Sequence, residues 1–156
     1  MLLYHTSQIE VTHPLVSYSR RYLDFGQGFY LTRLEKQARK YGNRFLREGL
    51  DAVLNIYELN DDIPRISRKE FKAYDEEWLD YVNLARHEAE REHFDIIEGG
   101  IADDDVFNTL NLYWDGLMSR EAALGELAKK EVNHQICICS QEVIDRHLHF
   151  LESIKL

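Results

Sequence analysis

Residues 24–32 read Asp-Phe-Gly-Gln-Gly-Phe-Tyr-Leu-Thr, and this stretch decides how the rest of the chain is interpreted. Gly26 and Gly28 give the backbone freedom to turn, and the residues from Phe29 to Thr32 have the aromatic and β-branched character of a strand. The glycines precede a strand, and the third glycine of a dinucleotide-binding fingerprint is missing. The stretch therefore predicts a loop that enters a strand and excludes a Rossmann phosphate loop.

Strand and helix signals follow one another irregularly on both sides of this loop. The strands are predicted at residues 2–5, 29–32, 52–59, 93–98, 134–139 and 147–151, the last as an edge strand. Helices are predicted at residues 34–46, 67–85, 103–114, after Ser119 and after Ser140. An irregular order of this kind favours an α+β fold, with a curved mixed sheet flanked by helices, over a doubly wound parallel sheet.

Two of these helices carry a stripe of large side chains. The helix at residues 34–46 places Leu34, Ala38, Tyr41 and Phe45 on one stripe. The S-x-x-E spacing of Ser67 and Glu70 predicts that a longer helix begins there with a capping box. Apolar side chains then recur every three or four residues, at Phe71, Tyr74, Trp78, Tyr81 and Ala85. This periodicity predicts that the aromatic side chains belong to the core and not to a cofactor site.

Length and composition favour one domain spanning residues 1–156. The chain is 44% apolar and has two prolines, no low-complexity stretch and no recognisable linker. Its apolar runs are far shorter than the roughly 20 residues of a membrane span, and its N-terminus lacks the pattern of a signal peptide. The expected location is therefore cytoplasmic, with no membrane contact.

The cysteines and histidines favour neither a disulfide nor a metal site. Cys137 and Cys139 share one face of a predicted strand at a separation of about 6.5 Å, which is poor disulfide geometry, so two buried thiols are expected. His147 and His149, with His134 nearby in sequence, lack the further ligands that zinc requires, and no C-x2-C pair is present. No serine or cysteine lies in a nucleophile elbow.

The charge distribution leaves two interpretations open. The net charge of −9 opposes a broad nucleic-acid-binding face, because such faces depend on clustered Lys and Arg. Within the first third of the chain, however, basic residues collect at Arg20, Arg21, Arg33, Lys36, Arg39, Lys40, Arg44 and Arg47. This asymmetry suits either a local site for an anionic ligand or an ordinary solvated helix face with charge pairs.

The run from Phe25 to Thr32 resembles the second motif of ADP-ribosyltransferases in the branch of poly-ADP-ribose polymerases and diphtheria toxin. That branch has an L-x-H-G/T-S strand near the domain start, which Leu3-Tyr4-His5-Thr6-Ser7 matches. Its second tyrosine follows the first by eleven positions, as Tyr41 follows Tyr30. The whole chain is also similar to a small bacterial family of unknown function, number 3990, of the same superfamily, including the segments at residues 99–104 and 135–138.

The resemblance implies an antiparallel split sheet and a site that binds NAD as co-substrate. Tyr30 and Tyr41 would stack on the nicotinamide, and His5 would hydrogen-bond a ribose hydroxyl. Further contacts implied around this pocket are Thr6, Gly28 and Thr32, with Arg33 at the entrance. The chemistry would break the nicotinamide–ribose bond through an oxocarbenium-like state, as in glycoside hydrolysis.

One position departs from the family pattern. Where the family has a catalytic glutamate, this chain has Gln135, which offers a carbonyl acceptor but cannot act as a base. Chain elongation is therefore not expected, and Asp103 or Asp104 is the candidate base, although both would also serve as ordinary helix-start charges. Members of the resembled family that modify arginine commonly have an acidic residue or glutamine two positions before the catalytic glutamate, and Asn133 at that position therefore argues against arginine as the acceptor.

The leading functional interpretation is a mono-ADP-ribosyltransferase that transfers ADP-ribose from NAD, without a metal, to a macromolecular acceptor, either protein or nucleic acid. The resemblance places such an enzyme among bacterial toxins or defence effectors, with an antitoxin protein as partner. Because of Gln135, the alternative is a catalytically inactive module that binds NAD or ADP-ribose and regulates a partner. A purely structural or interaction domain is the third possibility.

Overall fold

The computed structural model describes residues 1–156, and its elements follow the irregular order that the sequence predicts. The strands are β1 (Leu2–Ser7), β2 (Phe29–Leu31), β3 (Val53–Leu59), β4 (Arg68–Glu70), β5 (Ile96–Gly99), β6 (Gln135–Ile138) and β7 (Leu148–Lys155). The helices are α1 (Glu35–Arg47), α2 (Glu76–Arg86), α3 (Asp104–Trp114), α4 (Arg120–Leu127) and α5 (Gln141–His147), with a 3₁₀ turn at Val16–Tyr18. The predicted α+β class is confirmed. None of the helices combines the length and hydropathy that a membrane span requires.

The strands form two sheets, which are joined by backbone hydrogen bonds at one isolated bridge. The first sheet has the order β1-β3-β7, and the second has the order β2-β6-β5-β4. All neighbouring strands are antiparallel except β4 and β5, which makes the second sheet mixed. Tyr4 of β1 and Thr32 after β2 form an isolated bridge between the sheets, with N–H to carbonyl distances of 2.8 and 2.9 Å. The curved sheet expected from the sequence is thus divided at the β1–β2 junction.

The predicted helix start at Ser67 is wrong. Ser67 uses its hydroxyl and amide to bond Asp95, 28 residues away, and the residues after it form β4 beside β5. Helix α2 begins later, where Asp75 accepts a 3.0 Å hydrogen bond from the amide of Trp78. The S-x-x-E spacing does not cap a helix here, because pairing with the distant strand β5 satisfies the backbone hydrogen-bonding groups of this segment.

The prediction that the aromatic residues of this region lie in the core is confirmed. Phe71, Tyr74 and Trp78 are buried, as is Ala85, whereas Tyr81 is partly exposed. Phe71 and Tyr74 precede α2, so their spacing reflects packing around the loop rather than one helix face.

Strand β6 forms the centre of the packing. All four of its residues are buried. Ile136 and Ile138 pack into a cluster with Leu3 of β1, whereas Cys137 packs on the opposite face with Trp78 of α2. Because both faces of β6 are covered, the side chain at its first position, Gln135, also lies in the interior.

We expect Trp78→Ala to lower the free energy of unfolding by about 3–5 kcal/mol, because the side chain is fully buried and its removal leaves a cavity. The indole also donates a 3.1 Å hydrogen bond to the carbonyl of Gly100, which would lose one of its two donors. Urea unfolding monitored by circular dichroism measures the change. Tyr18→Ala is the matched control, since Tyr18 is 86% exposed and should change stability by less than about 0.5 kcal/mol. Equal effects of the two substitutions would contradict this packing.

Candidate functional site

His5 and Tyr30 meet at the junction of the two sheets. Nδ1 of His5 lies 2.8 Å from the carbonyl oxygen of Tyr30. A carbonyl only accepts, so Nδ1 carries the proton in this contact, and the neutral ring then presents Nε2 as an acceptor. Burial lowers the pKa of His5, and the hydrogen bond to Tyr30 opposes this effect only in part. His5 is therefore a neutral imidazole at pH 7, fixed in one tautomer beside Phe29, whose ring centroid is 4.6 Å away.

Tyr30 closes the loop that precedes it. Its hydroxyl donates to the carbonyl of Gly26 at 2.6 Å and accepts from the amide of Phe25 at 3.1 Å. Burial, and next the electrostatic effect of the neighbouring Cys137, raise the pKa of Tyr30, so the phenol stays protonated. Gly28 is required here because a Cβ would overlap the sulfur of Cys137 and come within 2.9 Å of the carbonyl oxygen of Ile138.

Tyr41 lies on α1 and is 51% exposed. Its ring contacts Phe45 edge-on at 5.6 Å and makes no ring contact with Tyr30. The predicted stripe through Tyr41 is not the packed face, because the buried residues of α1 are Ala38 and Gly42. Gly42 lets the helix approach the first sheet closely, since a Cβ there would lie 3.2 Å from Cγ2 of Thr6. Tyr41 thus stands beside the packed face, with its ring toward solvent.

The predicted pocket residues Thr6 and Thr32 already use their hydroxyls within the protein. Thr6 donates to the carbonyl of Ala38 at 2.7 Å and so holds α1 against β1. Thr32 accepts from the amide of Leu34 at 3.1 Å and lies 3.3 Å from Nδ1 of His134. These threonines therefore set the spacing of the elements around the site.

A network that sequence reasoning missed lies at the end of β2. Nε2 of His134 is 2.7 Å from Glu98, and Nδ1 accepts from the amide of Arg33 at 3.2 Å. The side chain of Arg33, predicted to line the entrance, also bonds Glu98 at 2.9 Å. Partial burial raises the pKa of Glu98, but the hydrogen bond from His134 and the charge of Arg33 outweigh it, so the net shift is downward. His134, considered in the sequence only as a metal ligand, instead fastens β5 to the residues after β2.

Gln135 starts β6 opposite Gly99 and is 6% exposed. Its amide nitrogen donates to Asp24 and to the carbonyl of Gly100, both at 3.0 Å. Because both partners are acceptors, the amide can adopt only this orientation. Its carbonyl oxygen accepts no hydrogen bond from the protein, so Gln135 presents a fixed, neutral acceptor.

Asp24 positions Gln135 and was also missed. It is 5% exposed, and its carboxylate is paired with Arg86 at the end of α2. One carboxylate oxygen accepts hydrogen bonds from Nε of Arg86, at 3.0 Å, and from its Nη2. The other oxygen accepts from the amide of Ala102 at 2.8 Å and from the side-chain amide of Gln135. The nearest sequence signal is its place directly before the glycine loop. With each oxygen accepting two hydrogen bonds, Asp24 acts as a positioning group.

The candidate base Asp103 lies at the same end of β6. It caps α3 by accepting from the amide of Val106 at 3.0 Å, and its other oxygen accepts from Asn133 at 2.9 Å. Asp104 is exposed in the first turn of α3. The contacts of both residues are those of helix-start charges, and a role as base stays a prediction.

Both cysteines are free thiols, but only Cys137 is buried as expected; Cys139 is partly exposed, because it lies beyond the end of β6 at the edge of a cavity. The sequence did not predict how close they are, because β6 ends at Ile138 and the sulfurs of Cys137 and Cys139 lie 3.5 Å apart. Across residues 1–156, no group of three or more His, Cys, Asp or Glu side chains is arranged to hold a metal ion. A cavity of about 590 Å³ opens at the Cys139 end of β6, away from Gln135, and its lining includes Arg21 and Arg91.

We expect Asp24→Asn to lower the free energy of unfolding by about 3 kcal/mol, because it leaves the charge of Arg86 without its buried partner. The substitution keeps the side-chain volume, so packing is not the cause. Asp80→Asn is the control: Asp80 pairs with Arg120 at 2.6 Å but is 57% exposed, and its loss should cost less than about 1 kcal/mol. Chemical unfolding of both variants measures this difference. If Asp24→Asn lowers the free energy of unfolding no more than Asp80→Asn does, the buried Asp24–Arg86 pair does not stabilise the fold.

Comparison with known proteins assigns a family to this arrangement without assigning an activity. No curated protein and no solved structure matches the chain. Residues 1–150 match a family model described as "Protein of unknown function (DUF3990)". Since the match covers nearly the whole chain, the protein belongs to the DUF3990 family.

Proposed function

We propose that the protein is an NAD-dependent mono-ADP-ribosyltransferase that cleaves the nicotinamide–ribose bond and transfers ADP-ribose to a macromolecular acceptor, either protein or nucleic acid. The observation that carries the proposal is the 2.8 Å hydrogen bond between His5 and the Tyr30 carbonyl. It joins the two residues that match the motifs of ADP-ribosyltransferases across the division between the sheets. The split-sheet topology further supports the proposal.

The proposed binding roles follow from which groups are already satisfied. Nε2 of neutral His5 makes no hydrogen bond in the protein and would accept from a ribose hydroxyl. Tyr41, exposed on α1, would close over the nicotinamide ring against Tyr30, and each tyrosine face would contribute about 0.5–2 kcal/mol of cation–π attraction. Gly28 would hold the loop backbone of this pocket against β6, because its close approach is to Cys137 and Ile138.

The proposed chemistry relies on stabilising charge at the sugar. As the nicotinamide departs as a neutral molecule, positive charge develops on the ribose. The fixed carbonyl of Gln135 would accept from the ribose 2′-hydroxyl and hold the sugar in place, but it supplies no negative charge. The acceptor would therefore have to be a good nucleophile itself, or use Asp103 as its base, and a single transfer follows rather than chain elongation.

A second candidate function is a regulatory module that binds NAD or ADP-ribose without turnover. It is favoured by the contacts around Gln135, where the nearest carboxylate, Asp24, is saturated by Arg86, Ala102 and Gln135 itself. For the transferase, the resemblance to ADP-ribosyltransferases supports a cytoplasmic toxin or defence effector with an antitoxin protein as partner, whereas the module without turnover would regulate a partner.

We expect Tyr41→Ala to weaken NAD binding by about tenfold, the equivalent of one lost cation–π contact of about 1.4 kcal/mol. Tyr41 is half exposed, so the variant should remain folded. Calorimetric titration with NAD, followed by measurement of nicotinamide release, separates binding from turnover. Tyr18→Ala, which removes an exposed tyrosine elsewhere, should leave both unchanged. Failure of the unaltered protein to bind NAD would overturn the proposed site, and binding without release would select the regulatory module.

We expect Gln135→Glu to make nicotinamide release depend on pH. The new carboxyl would lie beside Asp24, which accepts from Gln135 at 3.0 Å, and this like charge together with burial would raise its pKa. It would be protonated at low pH and would gain a transition-state-stabilising charge as pH rises through that pKa, so release should increase with pH. Stability changes in the opposite direction: relative to Gln135→Met, the variant should lose stability as pH rises from the unfolded-state pKa of a glutamate, about 4.3, to the raised folded-state pKa.

Rates of nicotinamide release and thermal melts of Gln135→Glu and Gln135→Met, recorded across pH 5–9, test this. Release that is equal for the two variants at every pH would contradict the assignment of Gln135 to the reacting sugar.

A further inference from the structure

The Cys137–Cys139 pair has no part in the proposed NAD site, yet its two sulfurs are in contact. They lie 3.5 Å apart, and both thiols are free. A disulfide needs a sulfur–sulfur distance of about 2.05 Å, so the two atoms would have to approach by about 1.5 Å. Cys139 lies beyond the last residue of β6, where its amide bonds the carbonyl of Asp95 at 2.8 Å. The regular strand spacing that opposes a disulfide therefore does not apply to this residue.

The two sulfurs differ in access. Cys137 is fully buried, and its sulfur rests against the backbone of Gly28. Cys139 is partly exposed and lines the cavity of about 590 Å³. A small molecule entering this cavity would therefore reach Cys139 and not Cys137.

The charges around the cavity favour a reactive Cys139. Arg91 lines the same cavity, and its Nε atom is buried without a hydrogen-bond partner. The hydrogen bond from Cys137 and, to a smaller extent, the charge of Arg91 lower the pKa of Cys139. Burial and the charge of Asp95 raise it, but the net shift is downward. Burial raises the pKa of Cys137 well above its usual range. The pair thus consists of an accessible sulfur whose pKa is lowered and a buried sulfur whose pKa is raised.

We propose that Cys139 is a hydroperoxide-reactive thiol and that Cys137 resolves its oxidised form into an intramolecular disulfide. The Cys139 thiolate attacks one oxygen of the hydroperoxide, the O–O bond breaks, and hydroxide or alkoxide leaves, which gives a sulfenic acid. The Cys137 sulfur then attacks the Cys139 sulfur, the S–S bond forms and the S–O bond breaks, and the departing hydroxide takes the Cys137 proton as water. The two thiols lose two electrons, and the hydroperoxide gains them.

The disulfide would form at the base of the glycine loop. Cys137 lies opposite Tyr30 in the β2–β6 register and contacts Gly28. Oxidation would therefore act on the loop that Tyr30 closes. This consequence for NAD rests on the proposed function, whereas the thiol chemistry does not.

Intact-mass measurement of the reduced full-length chain after stoichiometric hydrogen peroxide, with a dimedone probe present, tests the proposal. The unaltered protein should lose the mass of two hydrogens and carry no dimedone. Cys137→Ser should stop at the sulfenic acid and carry one dimedone on Cys139, and Cys139→Ser should show neither change. Absence of the disulfide in the unaltered protein, absence of the adduct in Cys137→Ser, or equal oxidation of Cys139→Ser would each overturn the proposal. NAD binding is not needed for any of these readouts.

A second experiment separates reactivity from mere packing. Besides Arg91, the charged or titratable groups that line the cavity are Arg21, Glu88, His93 and Asp95. Arg91→Met should raise the pKa of the Cys139 thiol and slow its alkylation by iodoacetamide at pH 7 by about tenfold for each pKa unit, whereas Arg91→Lys should retain most of the rate. Thermal melts check that both variants are folded. A pH profile of alkylation that is identical for Arg91→Met and the unaltered protein would overturn the proposed activation.

Discussion

The buried carboxylate of Asp24 is the interaction on which the site depends. It joins the glycine loop, the end of α2 through Arg86, the segment before α3 through Ala102, and the start of β6 through Gln135. A buried charge is stable only when paired and fully hydrogen-bonded. The Asp24 carboxylate therefore couples the position of Gln135 to the packing of the other three elements.

Around this node, the chain uses backbone contacts to fix side chains that would otherwise rotate. The carbonyl of Tyr30 fixes the tautomer of His5, and the carbonyl of Gly100 helps to fix the amide of Gln135. Because these partners belong to the main chain, substitutions of neighbouring side chains leave them in place. The groups proposed to meet a ligand are thus preorganised before it arrives, which avoids part of the entropic cost of binding.

Local patterns predicted the elements well and the contacts between them poorly. The run from Phe29 to Thr32 and the alternating segment Val53–Leu59 predicted strands correctly. In both segments the residue types and their alternation directly reflect which side chains are buried. The Ser67 spacing misled because its hydroxyl binds Asp95, a partner that no local rule identifies. Asp24, Glu98 and His134 could not be assigned either, since their roles come from partners 36 to 111 residues away.

The division of the strands into two sheets has a mechanical meaning. Between β1 and the segment formed by β2 and Thr32, the main chain contributes a single bridge, Tyr4 to Thr32, and the His5 side chain adds one further hydrogen bond. Within each sheet, by contrast, neighbouring strands pair through backbone hydrogen bonds over several residues. We therefore expect local opening of the structure to occur at this junction. Exchange of the Tyr4 and Thr32 amide hydrogens with solvent deuterium would report that opening. Because the junction between the two sheets runs through the proposed site, a ligand that contacts both sheets would hold them together and suppress this opening.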